Sequence, residues 1–265
     1  MPRLIAVGDP ADPGIEPYRD IRERDLAGRG GRFVIEGEVV LRAALTLGRF
    51  KVESVLLAEN RVAALAGLLA GLPDDVPVHV AGRAVLDAVA GFPLHRGILA
   101  MGLRGTPEPA EGLIARLPRQ ALVVVLSAIA NHDNIGGLFR NAAAFGADAV
   151  LMDEACCDPL YRKSIRVSAG AALVTPFARG GTAAELCDGL LARGFEVLAT
   201  SPRGAERLGD ILPGPRMAAL FGAEGPGLPQ ALLDRLRTVR IDMAGGFDSL
   251  NVATTSGIVL HHLRR

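Results

Sequence analysis

The sequence has no tryptophan, and aromatic residues make up only 4% of its 265 positions. Stacking of a ligand on exposed rings is therefore not its main binding device. It also has no net charge, 29 basic residues facing 29 acidic ones. No overall electrostatic argument for a polyanionic partner remains, only local patches. Lysine is nearly missing: Lys51 and Lys163 are the only two, so arginine carries the positive charge. Arginine suits bidentate phosphate contacts, although coding bias would produce the same excess. The three cysteines, Cys156, Cys157 and Cys187, include an adjacent pair and no C-x-x-C. An odd count without metal spacing argues for reduced thiols and a cytoplasmic protein. No charged start precedes an apolar signal core, and no apolar run is long enough to span a bilayer, so no membrane partner is expected. His79, His95, His132, His261 and His262 form no H-E-x-x-H and no Cys/His cluster, so no metal is expected either.

What is present is an ordinary globular balance, 49% apolar and 22% charged. Residues 1–31 are an irregular arm rich in Pro, Gly and charge, with a short surface helix expected at 18–24. Arg19, Arg22, Arg24, Arg29 and Arg32 cluster there but interleave with Asp20, Glu23 and Asp25, which favours a solvated, salt-bridged face over an RNA patch. From Phe33 a strand–helix alternation begins: strands at 33–35, 52–58, 76–80 and 97–103, helices at 37–47, 61–69 and 83–90. This predicts a small α/β domain over 1–104. The Pro/Gly/Glu-rich stretch 105–118 reads as a linker.

Residues 119–265 repeat the rhythm with stronger strands. The run 121–126 is continuously apolar, as for a parallel strand covered on both faces. Further strands are expected at 149–152, 171–175, 195–200, 217–221 and 239–242, with helices at 135–145, 160–167, 183–193, 229–236 and 253–263. The second domain is predicted to be an open parallel sheet flanked by helices.

In such sheets ligands bind beyond the carboxyl ends of the strands, and three loops there are unusual. The first, 127–137, runs Ser-Ala-Ile-Ala-Asn-His-Asp-Asn-Ile-Gly-Gly into a helix carrying Arg140 and Asn141. Asn134 reads as its N-cap, and Arg140, about one and a half turns in, can reach a group held above the helix start. The second, Phe221-Gly222-Ala223-Glu224-Gly225-Pro226-Gly227-Leu228, lacks the Gly-Lys-Ser/Thr ending of a P-loop, and Glu224 would repel a phosphate. No G-x-G-x-x-G follows the domain's first strand, which disfavours a Rossmann enzyme. Three glycines with a carboxylate fit a neutral or cationic ligand lying flat on the backbone, or simply a flexible turn. The third, Gly245-Gly246-Phe247-Asp248-Ser249-Leu250-Asn251-Val252, opens the last helix with the polar residues Ser249 and Asn251 in its first turn, or merely caps it through Asp248 or Ser249.

Taken in order, these stretches resemble one family. Asn134-Ile-Gly-Gly-Leu-Phe-Arg140-Asn-Ala-Ala-Ala-Phe-Gly146, Phe221-Gly-Ala-Glu224-Gly-Pro-Gly227-Leu and Ile241-Asp-Met243 through Ser249-Leu-Asn251-Val resemble the three motifs of the SpoU/TrmH group of SPOUT RNA 2′-O-ribose methyltransferases. Arg166-Val-Ser168-Ala-Gly170-Ala171 matches a segment common between the first two. Phe33-Val-Ile-Glu36-Gly37 with its following helix is similar, over a shorter stretch, to the family's ribosomal-protein-like substrate-binding domain.

The resemblance implies a deep trefoil knot at the C-terminus, a homodimer, and S-adenosylmethionine bound by the knotted loops, with methyl transfer to a ribose 2′-OH in tRNA or rRNA. It implies a chemical role for Arg140, with Asn134 fixing the first loop and Ser249 and Asn251 lining the catalytic pocket. Cofactor contacts are implied at Thr200, Leu220, Gly222, Glu224, Gly227, Ile241, Met243 and Leu250. Thr254-Thr255-Ser256 departs from the smaller, more apolar residues usual after the third motif, and His261 stands where an acidic residue is common. The alternative is a knotted RNA-binding protein that holds the cofactor without catalysis.

Overall fold

The computed structural model describes residues 3–21, 31–94, 96–245 and 249–264. The chain divides into two compact units, Met1–Thr106 with Leu160–Val174, and Pro107–Pro159 with Thr175–Arg265.

The first unit contains β1 (Leu4–Val7), β2 (Arg32–Glu36), α1 (Glu38–Thr46), β3 (Lys51–Ala58), α2 (Val62–Leu69), β4 (Val78–Ala81), α3 (Arg83–Ala90) and β5 (Ile98–Leu103). Its mixed sheet has the order β1-β4-β3-β5-β2, with β1, β4 and β3 parallel and β5 antiparallel to both β3 and β2. The strand β1 falls in the stretch expected to be an irregular arm. After it, residues Pro13–Tyr18 form a 3-10 helix, and Tyr18 is fully buried, its hydroxyl 2.7 Å from Ser54 Oγ. The expected surface helix at 18–24 therefore does not begin at Tyr18: an apolar ring anchored in the core ends the preceding helix. Residues 22–30, which carry Arg22, Arg24 and Arg29, lie outside the described residues.

The second unit contains α4 (Ala110–Ala115), β6 (Ala121–Leu126), α5 (His132–Ala144) and β7 (Ala149–Met152). The chain then adds α6 (Arg162–Val167) and α7 (Ala171–Val174) to the first unit. The second unit resumes with β8 (Phe177–Arg179), α8 (Ala183–Leu191), β9 (Glu196–Thr200), β10 (Glu206–Arg207), β11 (Arg216–Phe221), α9 (Gln230–Leu233), β12 (Arg237–Arg240) and α10 (Val252–Leu263). Seven strands form one sheet, β10-β12-β9-β11-β6-β7-β8, and every pairing is parallel. Every residue of β6 is buried, as its unbroken apolar run requires in a strand covered on both faces. Val123, Val125, Leu198's neighbours Val197 and Ala199, and Leu220 share a core with Leu113 and Ile114 of α4 and Leu186 and Leu190 of α8.

Three further expectations change. The stretch expected as a linker contains α4, whose Leu113 and Ile114 are buried. The expected strand at 171–175 is α7: a short apolar run does not distinguish strand from helix by periodicity. Gly170 at φ +87° turns the chain into it, and Ser168 Oγ accepts a hydrogen bond from the Ala172 amide. Also, β12 ends at Arg240, two residues before the expected 242, leaving Ile241, Asp242 and Met243 in the loop beyond the strand.

The inserted segment closes the first unit through polar contacts. Arg162 Nη1 donates to Glu36 Oε2 at 2.9 Å while its guanidinium lies 4.9 Å from the Phe92 ring centroid, and the Glu36 side chain is only 10% exposed. Gly170 sits where a Cβ would come within 2.8 Å of Ala43. Replacing Arg162 by Ala leaves a nearly buried carboxylate unpaired, and a loss of about 3 kcal/mol in urea unfolding is expected, part of it recovered in Arg162→Ala/Glu36→Gln. An unchanged midpoint would show that the pair does not hold the segment.

The described cysteines are free. Burial pushes the Cys156 and Cys187 thiols up to about 12 and the half-buried Cys157 thiol up to about 11. The unfolded chain releases these protons near 9.0, so between there and the raised values the folded state holds more protons. Stability is thus complete below about pH 9 and falls as pH rises through the raised values. Denaturation under reducing conditions should show this decline, and native protein at about pH 8 should leave Cys156 and Cys187 unmodified by a thiol reagent.

Candidate functional site

The carboxyl ends of β6, β9, β11 and β12 lie along one edge of the parallel sheet, and the three unusual loops leave from that edge. The first is pinned from below. The buried Asp153 carboxylate accepts the Ala128 amide, 3.0 Å from both oxygens, and the Cys156 amide at 3.0 Å. Ala128 is thereby held at φ +56°, an unfavourable conformation for a residue with a Cβ.

The helix after this loop starts earlier than expected. Asn131, not Asn134, is the N-cap of α5, its Oδ1 accepting the Asp133 amide at 2.8 Å. Asn134 is the third residue of α5 and not its cap, which frees that buried side chain for another partner. The apolar stripe Ile135, Leu138, Phe139 and Ala142 faces the core at helical spacing, and Arg140 points outward, exposed. Arg140 makes no hydrogen bond or ion pair with a described residue.

The second loop folds back on itself. The Gly227 amide donates to the Ala223 carbonyl at 3.1 Å. A Cβ on Gly222 would lie 2.7 Å from Gly227 C and Leu228 N, so only glycine fits there. Gly227 is exposed and takes φ +70°.

The third loop supplies the junction. Asn251, rather than Asp248 or Ser249, caps α10, its Oδ1 accepting the amides of Ala253 at 2.9 Å and Thr254 at 3.2 Å. Its Nδ2 donates to Asn134 Oδ1 at 2.9 Å and to Glu224 Oε1 at 2.8 Å. One amide therefore joins all three loops. Glu224 orders the second loop through this bond.

Among the other expected residues, Thr200 Oγ1 donates to the Leu220 carbonyl at 2.9 Å, which ties β9 to β11 and occupies that carbonyl. Ile241 and Met243 are half-buried, and Leu250 is 41% exposed. Ser249 is exposed and precedes the helix instead of lying in its first turn. No hydrogen bond joins Ser249 or Arg140 to the Asn134–Asn251–Glu224 junction. Gly246, Phe247 and Asp248 lie outside the described residues. Two half-open clefts occur elsewhere among the described residues: about 700 Å³ in the first unit, bordered by Glu38, Arg61, Arg83 and Arg96, and about 590 Å³ beside α4 and α8 in the second. Neither is lined by an expected site residue, since the loop edge is open.

Sequence reasoning missed Asn131, Asn141, Asp153 and Ser256. Asn141 donates to the Ala253 carbonyl at 2.6 Å and to Ser256 Oγ at 2.9 Å. A polar residue recurring on an otherwise apolar helix face was the available signal for Asn141 and Ser256. Asp153 gave none before its partner Ala128 was located.

A family model described as the SpoU rRNA Methylase family matches residues 121–261. An uncharacterized tRNA/rRNA methyltransferase of Mycobacterium bovis is 38% identical over 269 residues, covering 98% of this chain and 91% of the relative. An AdoMet-bound rRNA methyltransferase from Sinorhizobium meliloti superposes with a TM-score of 0.82 at 23% identity, covering 99% of this chain and 98% of that one. The structure of an RNA 2′-O ribose methyltransferase superposes with a TM-score of 0.79 at 24% identity, covering 98% of both chains.

The junction makes a graded prediction. Asn251→Ala removes the cap and both donors, and a loss of about 1–2 kcal/mol is expected. Asn251→Asp keeps a capping oxygen but sets a carboxylate against Glu224. Its deficit in thermal melts should shrink in Asn251→Asp/Glu224→Gln, which removes the like charge. An equal deficit in the double variant would separate Glu224 from the junction.

Proposed function

The chain belongs to the SpoU rRNA methylase family, and on that premise we propose that it transfers a methyl group from S-adenosylmethionine to a ribose 2′-hydroxyl in tRNA or rRNA. The observation that carries this reading is the convergence of Asn134, Glu224 and Asn251 from the three motifs onto one set of hydrogen bonds, beside the helix that also carries Arg140, exposed and without a partner among the described residues.

The residues fit such a cofactor. The edge formed by Thr200, Gly222–Gly227, Ile241 and Met243 offers mainly backbone groups and small side chains, the donor set that a flat, neutral base and ribose require. Glu224 is a carboxylate among them, compatible with a cationic sulfonium. When bound, S-adenosylmethionine supplies an electrophilic methyl group. The chain's task is then to bring a ribose hydroxyl in line and stabilise the charge it develops as its proton leaves. Arg140 suits this: its guanidinium is permanently charged, is exposed on the outer face of α5, and makes no hydrogen bond or ion pair with a described residue. Leu250 and Met243 would border the cofactor, and Ser249 would line the pocket on the substrate side.

We read the return of α10 onto α5 and β11, after β12 has been laid down beyond β9, as the deep trefoil knot of this family. Its exposed apolar residue Ile258, with Leu250 just before the helix, supports a homodimer. RNA contact is assigned to the first unit, where Arg61, Arg83 and Arg96 border the cavity and the N-termini of α1 and α3 have glycine caps without side-chain bonds. No helix among the described residues is long and apolar enough to cross a membrane.

Arg140→Ala should bind S-adenosylmethionine in calorimetry as the parent does, while labelled methyl transfer to bulk RNA falls by about 100-fold or more. Full transfer by the variant would sink the role of Arg140. Cofactor binding by the parent with no methyl entering any RNA would instead indicate a binding protein.

A further inference from the structure

Arg140 has no described partner, so its place depends on how α5 is seated. The helix meets α10 at two polar points. The first is Asn134 with Asn251. The second comes seven residues later, about 10 Å along the axis, at Asn141. Asn141 Nδ2 has two protons and two acceptors, the Ala253 carbonyl at 2.6 Å and Ser256 Oγ at 2.9 Å. Ser256 is fully buried, and its hydroxyl donates a hydrogen bond to the Ala253 carbonyl at 2.8 Å, closing the triangle.

The two helices are in near contact around these bonds. A Cβ on Gly137, one turn before Asn141, would lie 2.6 Å from Ala253 Cβ, and one on Gly257 would lie 3.4 Å from Asn141 Nδ2. Asparagine is a poorer helix former than alanine, so its use within an Ala-rich helix has to be offset by what it bonds. One anchor leaves a helix free to pivot; two at opposite ends of the contact fix both its slide and its rotation.

We propose that Asn141 is a positioning residue that, with Ser256 as its acceptor, holds Arg140 in register with Asn251. The proposal rests on the catalytic reading of Arg140 given above. It also gives the Thr254–Ser256 departure from the usual family pattern a purpose: the buried hydroxyl of Ser256 exists to meet Asn141.

The test compares Asn141→Asp, which keeps the shape but cannot donate, with Asn141→Ala, Ser256→Ala and Asn141→Asp/Ser256→Ala in the full chain. Both Asn141 variants should lose about tenfold or more in kcat, while KM for RNA and calorimetric affinity for S-adenosylmethionine stay within about twofold. Ser256→Ala should lose less, since the Ala253 carbonyl remains, and the double variant should be no worse than Asn141→Asp. Parental kcat in Asn141→Asp would overturn the proposal. So would a parallel fall of kcat, RNA affinity and cofactor affinity, which marks general loosening. A parent chain that methylates no RNA defeats the functional reading instead; the register is then read by hydrogen exchange over 252–256. Faster exchange in Asn141→Asp than in the parent supports the second anchor, and unchanged exchange overturns it.

Discussion

The candidate site depends on one planar amide. A helix start leaves backbone N–H groups without partners, and Asn251 Oδ1 takes two of them at α10. The same side chain has two protons to give, and they reach Asn134 and Glu224. An aspartate could cap but not donate, and a serine could donate only once. Three loops distant in the chain are thereby held by a single residue whose every polar capacity is used.

The sheet makes that junction possible. Parallel pairing brings the carboxyl ends of β6, β9, β11 and β12 to one edge, so the loops emerge side by side. Close approaches then shape them: Gly222 against Gly227, and Gly204, where a Cβ would lie 2.4 Å from Val239 C. Arg140 is exposed and makes no hydrogen bond or ion pair with a described residue, while its helix is bonded to the start of α10 at Asn134 and at Asn141.

Much of this was legible beforehand. The continuous apolar run of β6 indicated a strand buried on both faces, and the Ile135–Leu138–Phe139–Ala142 spacing indicated an amphipathic helix, because burial imposes periodicity locally. The three motif loops could be placed at strand ends from the same alternation. Less legible were short elements: β1, β10 and α7 are too brief for their period to show, and Ala-Ala-Leu-Val suits strand or helix equally until Gly170 and Ser168 direct it. The membership of Leu160–Val174 in the first unit was also hidden, since an Arg162–Glu36 pair spans 126 positions.

By itself, then, the sequence determined the alternation of elements, the parallel second sheet and the identity of the loops, because each follows from hydrophobic spacing and glycine placement within a few residues. It also singled out Arg140, Asn134, Glu224 and Asn251 as polar groups in unusual settings. Only the tertiary structure decided which partners they take: that Asn131 rather than Asn134 caps α5, that Asn251 caps α10 while joining two other loops, and that Asn141 meets Ser256. Hydrogen bonds between positions more than 100 residues apart leave no local trace, since each partner's geometry exists only once the sheet has brought the chain back upon itself.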